Sequence, residues 1–260
     1  MSMLELNGVT KNFGGIVACK DISLSVAQGQ VTGLIGPNGA GKTTVFNLIT
    51  GVYAPTAGSI AFNGKDITAI RPDKVVAHGI ARTFQNIRLF RNLTVLDNVR
   101  IAVDNEVDYA LSEALVRSPR VKSREKEICA LAMERLEEVG LADKAEVRAD
   151  SLPYGLQRKL EIARALALRP RLLLLDEPAA GMNPEESLEL AGLVRTLHAR
   201  HNLTILLIEH HMDVVMELCE RIFVLDFGVK LAEGSADEIQ TNPDVLRAYL
   251  GEGYKRVRSQ

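Results

Sequence analysis

The sequence contains a glycine-rich segment at residues 34–44 that reads L-I-G-P-N-G-A-G-K-T-T. It matches the phosphate-binding pattern G-x-x-x-x-G-K-[ST] over residues 36–43. An apolar run at residues 31–35 predicts a buried strand before it, and residues 45–49 continue as a helix that a following glycine can stop. Because strand, glycine-rich loop and helix follow one another in this order, the segment predicts a nucleoside triphosphate site.

Three properties of this segment suit a triphosphate. Its glycines let successive backbone N–H groups point inward as an anion-binding concavity. The helix that starts near Gly41 adds the positive end of its dipole. Lys42 places a charge near the outer phosphates, and the Thr43 hydroxyl can ligate Mg²⁺. The expected nucleotide-binding residues are Gly36, Pro37, Asn38, Gly39, Ala40, Gly41, Lys42, Thr43 and Thr44.

Composition and charge argue against several other classes. The 260-residue chain can bury a large core, as one domain or one and a half. A net charge of −2 gives no reason to expect nucleic acid as the main partner. The three cysteines form no C-x-x-C pair, so neither a disulfide framework nor a zinc site is expected. With no apolar run near the roughly 20 residues of a membrane span and no signal-peptide pattern, we expect a cytoplasmic protein that reaches a membrane only through a partner.

Strand and helix patterns alternate along most of the chain. Apolar and polar residues alternate within residues 1–30, which predicts strands, and Asn63-Gly64 between apolar runs predicts a hairpin. Further strands are predicted at residues 80–84, 172–175 and 203–208, with a closing hairpin at residues 222–232. Helices are predicted at residues 72–77 and 94–103, and from Asn183-Pro184 and Asn242-Pro243 onward.

The region from about residue 86 to residue 155 differs, since it is nearly all helix. It reads as a helical subdomain inserted in the strand-and-helix pattern. Within it, the polar and charged residues 104–127 predict a connection between helices, and Ser118-Pro119 predicts a break in any helix there. Apolar residues then recur at helical spacing over residues 128–139.

Two carboxylates follow the apolar run at residues 172–175. A run this uniform suits a central parallel strand, and ligands of α/β sheets bind at the carboxyl ends of such strands. Asp176 is suited to hold Mg²⁺, directly or through water, opposite Thr43. Glu177 is then free to orient or deprotonate the attacking water.

Three further residues allow two interpretations each from chemistry alone. Phe13 precedes a glycine turn, where its ring could stack on a purine or lie at the edge of the core. Gln85, at a predicted strand end, could hold a Mg²⁺-bound water or be an ordinary surface residue. His210, just beyond a predicted central strand, could reach the γ-phosphate or be an ordinary polar residue on the surface.

Together these segments resemble an ATP-binding-cassette (ABC) ATPase over essentially the full length. Phe13 matches the adenine-stacking aromatic, residues 36–44 the Walker A loop, Gln85 the Q-loop and His210 the switch histidine. L-L-L-L-D-E-P matches Walker B with its catalytic glutamate, and the D-loop is Ala180, Gly181, Met182 and Asn183. A-R-T-F-Q-N-I-R-L-F-R-N-L-T-V, S-L-P-Y-G-L-Q-R-K-L-E-I-A-R-A-L, D-E-P-A-A-G-M-N-P and L-L-I-E-H-H-M look like one of the two ATPases of branched-chain amino-acid importers.

The resemblance implies an α/β cassette over residues 1–260, with a mixed central sheet, an N-terminal antiparallel β-subdomain and an inserted α-helical subdomain. It implies ATP and Mg²⁺ as cofactors, with Thr43, Gln85 and Asp176 at the metal and Glu177, Gln85 and His210 in catalysis. Two cassettes would sandwich two ATP molecules and drive two transmembrane permease subunits on the inner face of the membrane. The implied partners are a second, non-identical cassette and, indirectly, a periplasmic or extracellular solute-binding protein, and a homodimer is the lesser alternative.

The signature segment departs from the family pattern L-S-G-G-Q. The aligned residues are Leu152, Pro153, Tyr154, Gly155 and Leu156. Proline offers neither a hydroxyl nor a backbone N–H to a γ-phosphate. Each lost hydrogen bond to a charged group typically removes roughly 1.5–3 kcal/mol. We therefore expect a weakened nucleotide site where this signature faces its partner, and an intact one at this chain's own phosphate loop.

Two other functions remain open from the sequence. The ATPase of an exporter, such as a lipopolysaccharide-extraction system, shares the R-T-F-Q and L-F segments but keeps the serine-glycine signature. A soluble cassette protein acting on ribosomes or DNA usually carries two cassettes or a long insertion. The transported solute is also open, with leucine, isoleucine and valine as the default and other amino acids, amides or urea as alternatives.

Overall fold

The computed structural model describes residues 2–103 and 119–250. The chain forms two compact units, the first from Met1–Arg82 with Arg171–Gln260 and the second from Thr83–Pro170. The second unit extends beyond the predicted insert at residues 86–155 on both sides. On the C-terminal side it includes the whole of helix Tyr154–Ala167, because this helix packs against the other helices of the unit. Within the described ranges, no helix has both the length and the apolar composition that crossing a membrane requires.

The strands all belong to the first unit. In chain order they are β1 (Ser2–Phe13), β2 (Ile16–Ala27), β3 (Val31–Ile35), β4 (Ala57–Phe62), β5 (Lys65–Asp66), β6 (Ile80–Arg82), β7 (Leu172–Asp176), β8 (Thr204–Ile208), β9 (Arg221–Asp226) and β10 (Val229–Gly234). The helices of this unit include α1 (Lys42–Ile49) and α2 (Pro72–Ala77) before the second unit, and α6 (Pro184–His201), α7 (Met212–Leu218), α8 (Ala236–Thr241) and α9 (Pro243–Leu250) after it.

A four-stranded antiparallel sheet has the order β2-β1-β4-β5. The predicted hairpin at Asn63-Gly64 is confirmed, since these residues join β4 to β5. Both have positive φ values, 49° and 72°, as a two-residue hairpin turn requires. This sheet is the predicted N-terminal antiparallel subdomain.

A six-stranded mixed sheet has the order β10-β9-β3-β8-β7-β6. Neighbouring strands from β9 to β6 are parallel, and β10 pairs antiparallel with β9. Every residue of β3, β7 and β8 is buried, which explains why their sequences are mostly apolar. The strand predicted at residues 80–84 ends earlier, at Arg82, so the prediction was wrong for the last two residues.

One hydrophobic cluster connects the two sheets of the first unit through α1. It includes Leu4 and Leu24 of the antiparallel sheet, Phe46 of α1, and Leu174 and Leu206 of the mixed sheet. Helix α1 is therefore fixed by packing on both sides. The phosphate loop that leads into it is held between a buried strand and a buried helix.

The second unit contains three described α-helices, α3 (Val95–Val103), α4 (Pro119–Glu138) and α5 (Tyr154–Ala167), with short 3-10 turns at Ala142–Lys144 and Ala149–Ser151. Thr94 caps α3, since its hydroxyl accepts a hydrogen bond from the Asp97 N–H at 3.0 Å.

The predicted non-helical connection at residues 104–127 was wrong from Pro119 onward, where α4 begins, and its remainder lies outside the described residues. Proline stands at the first helical position, which it tolerates. The first turns of α4 bury Val121 alone and expose long charged side chains, so their apolar periodicity is too sparse to predict a helix.

Candidate active site

The phosphate loop runs from the end of β3 to the start of α1, and two of its glycines have no substitute. Gly36 has φ +150°, and a Cβ there would lie 2.1 Å from the Leu225 carbonyl oxygen. Gly41 has φ +98°, and a Cβ there would lie 2.8 Å from the Ala18 carbonyl oxygen. The backbone can take this path only without side chains at these positions.

The start of α1 presents backbone donors without an internal partner. The first helical hydrogen bond runs from the Val45 N–H to the Gly41 carbonyl at 3.0 Å. The N–H groups of Lys42, Thr43 and Thr44 precede it, and no side chain caps this end. These donors and the helix dipole form an anion-binding end.

Lys42 is buried beneath the loop. Its ammonium donates to the carbonyl oxygens of Gly36 at 2.7 Å and Pro37 at 2.9 Å. Burial lowers the pKa of Lys42, while the nearby charges of Glu177 and Asp176 act to raise it. The structure therefore brings the Walker A lysine and both Walker B carboxylates to one place.

Asp176, the last residue of β7, is paired with Arg82, a residue that the sequence analysis did not single out. An Arg82 guanidinium nitrogen donates to Asp176 Oδ2 at 2.7 Å, and the side chains are 7% and 3% exposed. Arg82 also donates to Asn47 Oδ1 of α1 at 2.7 Å. It thereby connects the helix behind the phosphate loop to the Walker B aspartate. The available signal was an arginine at the end of a short strand otherwise made of buried apolar residues.

Glu177 and His210 meet at the carboxyl edge of the mixed sheet. Because β7 and β8 are parallel neighbours, the residues that follow them lie together. His210 Nε2 and Glu177 Oε1 are 2.5 Å apart. Glu177 has φ +49°, a conformation that costs energy for a residue with a side chain. Its N–H donates to the Ile208 carbonyl at 2.8 Å, which helps to hold this conformation.

Glu209, between β8 and His210, is a second residue that the sequence analysis missed. Its buried Oε1 accepts from the Ala179 N–H at 2.7 Å, just before the D-loop. Its Oε2 accepts from the N–H groups of His210 at 2.9 Å and His211 at 3.2 Å. A glutamate directly after an apolar strand was the available signal. The sequence analysis assigned a role to the following residue, His210, and none to Glu209.

The D-loop is ordered by local hydrogen bonds. The N–H groups of Ala180 and Met182 donate to the carbonyls of Glu177 and Ala179, each at 3.1 Å. Gly181 lies between them with φ +80°. Asn183 then caps α6 in a capping box, accepting from the Glu186 N–H at 2.9 Å.

Phe13 ends β1 with its side chain 41% exposed. Its ring meets that of Tyr53 edge to face, with centroids 5.0 Å apart. The Lys11 ammonium lies 5.0 Å from the Phe13 centroid and 5.7 Å from that of Tyr53. The ring is thus supported on one side by Tyr53 and keeps exposed surface that a base could stack on.

The donor set around α1 and β7 fits Mg²⁺. Thr43 is exposed at the start of α1 and offers a hydroxyl, and Asp176 offers a carboxylate. Mg²⁺ takes oxygen ligands and usually binds one or two protein groups besides phosphates and waters. Gln85, the third expected ligand, belongs to the second unit, where its backbone carbonyl accepts from Arg158.

The signature segment also belongs to the second unit. Pro153 is the N-cap of α5, with φ −52° and ψ 151°, and it makes no side-chain cap hydrogen bond. Its carbonyl accepts from the Leu156 and Gln157 N–H groups, each at 3.0 Å. Leu152 is buried, Tyr154 is exposed, and Gly155 has no atom within 4 Å of the position of a Cβ. The start of α5 is therefore open to a ligand or a partner.

Comparisons with known proteins agree with this geometry. A family model described as ABC transporter matches residues 19–180, and one described as Branched-chain amino acid ATP-binding cassette transporter matches residues 229–255. The high-affinity branched-chain amino acid transport ATP-binding protein BraF of Pseudomonas aeruginosa is 45% identical over 96% of this chain and 98% of its own length. LivG of Escherichia coli, described in the same words, is 44% identical with the same coverage.

More distant relatives share the fold. The lipopolysaccharide export system ATP-binding protein LptB of Acidithiobacillus ferridurans is 36% identical over 97% of this chain and 98% of its own length. A crystal structure of a nucleotide-free ATP-binding cassette from an ABC transporter has a TM-score of 0.84 and 33% identity, covering 97% of this chain and 100% of the other. The chain belongs to the ABC transporter family, as an ATP-binding protein of its branched-chain amino acid group.

Proposed function

We propose that this chain hydrolyses ATP to power the import of branched-chain amino acids, as one of two non-identical cassettes attached to two permease subunits. The observation that carries the chemical part is the Glu177–His210 pair, 2.5 Å apart at the carboxyl edge of the sheet. The same edge carries Lys42 and the free end of α1. A base, a phosphate-binding lysine and a set of backbone donors therefore converge.

The triphosphate is bound by residues 36–44. The N–H groups of Lys42, Thr43 and Thr44 point out of the helix end and take phosphate oxygens. Lys42 turns from the loop carbonyls towards the β- and γ-phosphates, where its charge is best neutralised. Phe13 stacks on the adenine with the face that Tyr53 leaves open.

Thr43 and Asp176 would hold Mg²⁺, and the resemblance to the family adds Gln85 as a ligand through water. When bound, Mg²⁺ neutralises charge that develops on the β- and γ-phosphates. Arg82 holds one carboxylate oxygen of Asp176 and thereby fixes the direction of the other.

Glu177 accepts a proton from the water that attacks the γ-phosphate. A positioned general base of this kind typically contributes about 10²–10⁴-fold to the rate. His210 binds Glu177 Oε1 and thereby orients the base towards the water. Residues 180–183 contact the second cassette, whose signature covers the phosphates of this chain's site.

The partners and the solute are inferred from the similarity to BraF and LivG, which are branched-chain amino acid transport proteins by description. The match of the branched-chain model to residues 229–255 favours this group over lipopolysaccharide export, where the relative is 36% identical. Attachment to permease subunits would place the protein at the cytoplasmic face of the membrane.

The test is to purify this chain with its tagged permease subunits, identify the co-purifying proteins, and reconstitute the complex in vesicles. ATP-dependent accumulation of leucine, isoleucine or valine is the expected result, and the complex carrying Lys42→Ala is the inactive control. ATPase activity with no uptake of these or other amino acids would contradict the import proposal.

A further inference from the structure

A buried ion pair in the second unit has no role in the catalytic cycle described above. Arg158 and Glu161 of α5 are 2.9 Å apart, and their side chains are 1% and 2% exposed. Burial of two charges costs free energy unless hydrogen bonds satisfy the remaining donors and acceptors. The partners of this pair therefore indicate what the pair does.

Among the residues that the structure describes, the further hydrogen bonds of the two charged groups go to residues 84–88 and to Tyr154. Arg158 donates to the carbonyl of Phe84 at 2.6 Å and to the carbonyl of Gln85. Glu161 Oε1 accepts from the N–H groups of Phe84 at 3.3 Å and Arg88 at 3.4 Å. Backbone donors and acceptors of one short segment are thus bound by two side chains of α5.

The same arginine contacts the signature. Arg158 donates to the Tyr154 hydroxyl at 3.1 Å, and its guanidinium carbon lies 5.6 Å from the Tyr154 ring centroid. Tyr154, Arg158 and Glu161 follow one another at spacings of four and three residues, which places them on one face of α5. One face of this helix therefore carries a signature side chain at its start and holds the 84–88 segment further along.

We propose that Arg158 and Glu161 are positioning residues that fix the glutamine segment, residues 84–88, to the signature helix. Gln85 and Tyr154 then move as parts of one body. This inference rests on the proposed roles of Gln85 at the metal of this chain's site and of the signature at the partner's site. Through the Arg158–Glu161 pair, a movement of Gln85 at this chain's nucleotide also moves Tyr154, which belongs to the signature at the partner's nucleotide.

The chemistry favours this role over a general contribution to packing. A guanidinium can donate to two carbonyls, a hydroxyl and a carboxylate at once, whereas an ammonium is a single point of charge. A pair that only filled space could be replaced by apolar residues of similar volume with little loss. If the pair has the proposed positioning role, the same apolar replacement should keep the fold but remove the hydrogen bonds that hold residues 84–88.

The principal variant is therefore Arg158→Met with Glu161→Leu, which removes both charges and leaves none unpaired. Arg158→Lys is the second variant, since it keeps the charge beside Glu161 but cannot reach both carbonyls. The matched control is Arg124→Met with Glu127→Leu on α4, an arginine–glutamate pair at the same spacing whose side chains are 31% and 58% exposed.

The first measurement is amide hydrogen exchange of the purified chain. Residues 84–88 should exchange at least about tenfold faster in the principal variant, since the Phe84 and Arg88 N–H groups lose their acceptor. Exchange in α3 and the rest of α5 should stay as in the wild type, as it should everywhere in the control. If the principal variant fails to fold, the same comparison is made on Arg158→Lys. Unchanged exchange at residues 84–88 in a folded variant would overturn the inference.

The second measurement uses the assembled transporter and compares ATP hydrolysis with and without solute and binding protein. The principal variant should lose at least about half of the stimulation by solute, while the control keeps the wild-type ratio. An unchanged ratio would overturn the inference. Failure of the wild-type complex to import amino acids would instead contradict the proposed function, and the hydrogen-exchange result is independent of that outcome.

Discussion

His210 Nε2 lies 2.5 Å from a carboxylate oxygen of Glu177, and the Glu177 backbone is held at φ +49°. The two residues stand at the ends of neighbouring parallel strands, so the sheet itself sets their separation. The proposed base is thus oriented by a second side chain of the first unit. The single chain therefore supplies the proposed catalytic pair, whereas in the proposed dimer a second chain would supply the signature.

Glu177→Gln should lower ATP hydrolysis by at least about a hundredfold, the scale expected on losing a general base. ATP binding should remain largely intact, because the amide keeps the size of the carboxylate and the phosphate loop is untouched. Steady-state hydrolysis and calorimetric binding of ATP check the two parts. Glu185→Gln, at an exposed position in the first turn of α6, is the control. Near wild-type hydrolysis by the Glu177 variant would assign the base elsewhere.

Phe13→Ala should weaken ATP binding by roughly 1–3 kcal/mol, the scale of base–aromatic stacking. The fold should persist, because the ring is 41% exposed and rests on Tyr53 at the edge of β1. Leu246→Ala on α9, a side chain with the same 41% exposure, serves as control. Calorimetric affinity equal to that of the wild type would make Phe13 an ordinary aromatic at the core edge.

Arg82→Met should destabilise the protein by about 3–5 kcal/mol, because it removes the guanidinium that is paired with the buried Asp176 carboxylate. Urea denaturation at neutral pH measures the loss. Adding Asp176→Asn should recover part of it, since the remaining group is then neutral. If the double variant were as unstable as the sum of the two single variants, the ion pair would not be the source of the effect.

Cys19 and Cys219 should react slowly with thiol reagents in the native protein. Burial raises the pKa of the Cys19 thiol to about 11 and that of Cys219 to about 12. At pH 8 a thiol of pKa 11 is thiolate in roughly one molecule in a thousand, and the thiolate is the reactive form. Alkylation followed by mass spectrometry should find Cys129, which is only partly buried, modified first, with the other two reacting after unfolding. Rapid native modification of Cys19 would contradict the burial.

The two nucleotide sites of the assembled transporter should differ in activity if the second cassette has an ordinary signature. The site at this chain's phosphate loop would be complete, whereas the partner's phosphate loop would face Pro153, which lacks a backbone donor. Glu177→Gln should therefore abolish most ATP turnover, and the matching change in the second cassette should abolish less. Turnover by each singly disabled complex is the measurement. Equal losses from the two changes would rule out the asymmetry.

Much of the fold could be predicted from the sequence because its strands carry local signals. β3, β7 and β8 are mostly apolar, and Asn63-Gly64 specifies a turn by backbone conformation. The start of α4 could not be predicted, since its first turns are charged and expose most of their side chains. A solvated helix of this kind depends on packing elsewhere along its length.

The nucleotide-binding motifs could be recognised in the sequence, but Arg82 and Glu209, which hold other residues of the site in place, could not. Arg82 meets Asp176 only through the pairing of β6 with β7, and Glu209 meets Ala179 only through the pairing of β7 with β8. Partners separated by many residues along the chain leave no mark in a local pattern. For such pairs the tertiary structure was required.

The bridging by Glu209 has a mechanical consequence. One oxygen of this carboxylate holds the backbone before the D-loop and the other holds the backbone of His210 and His211, so the two loops cannot be displaced separately. In the proposed dimer, a second cassette that presses on residues 180–183 would therefore pull His210, and with it the carboxylate of Glu177. Binding of the partner would therefore shift the proposed base through the side chain of Glu209, which takes no part in binding the nucleotide or the partner.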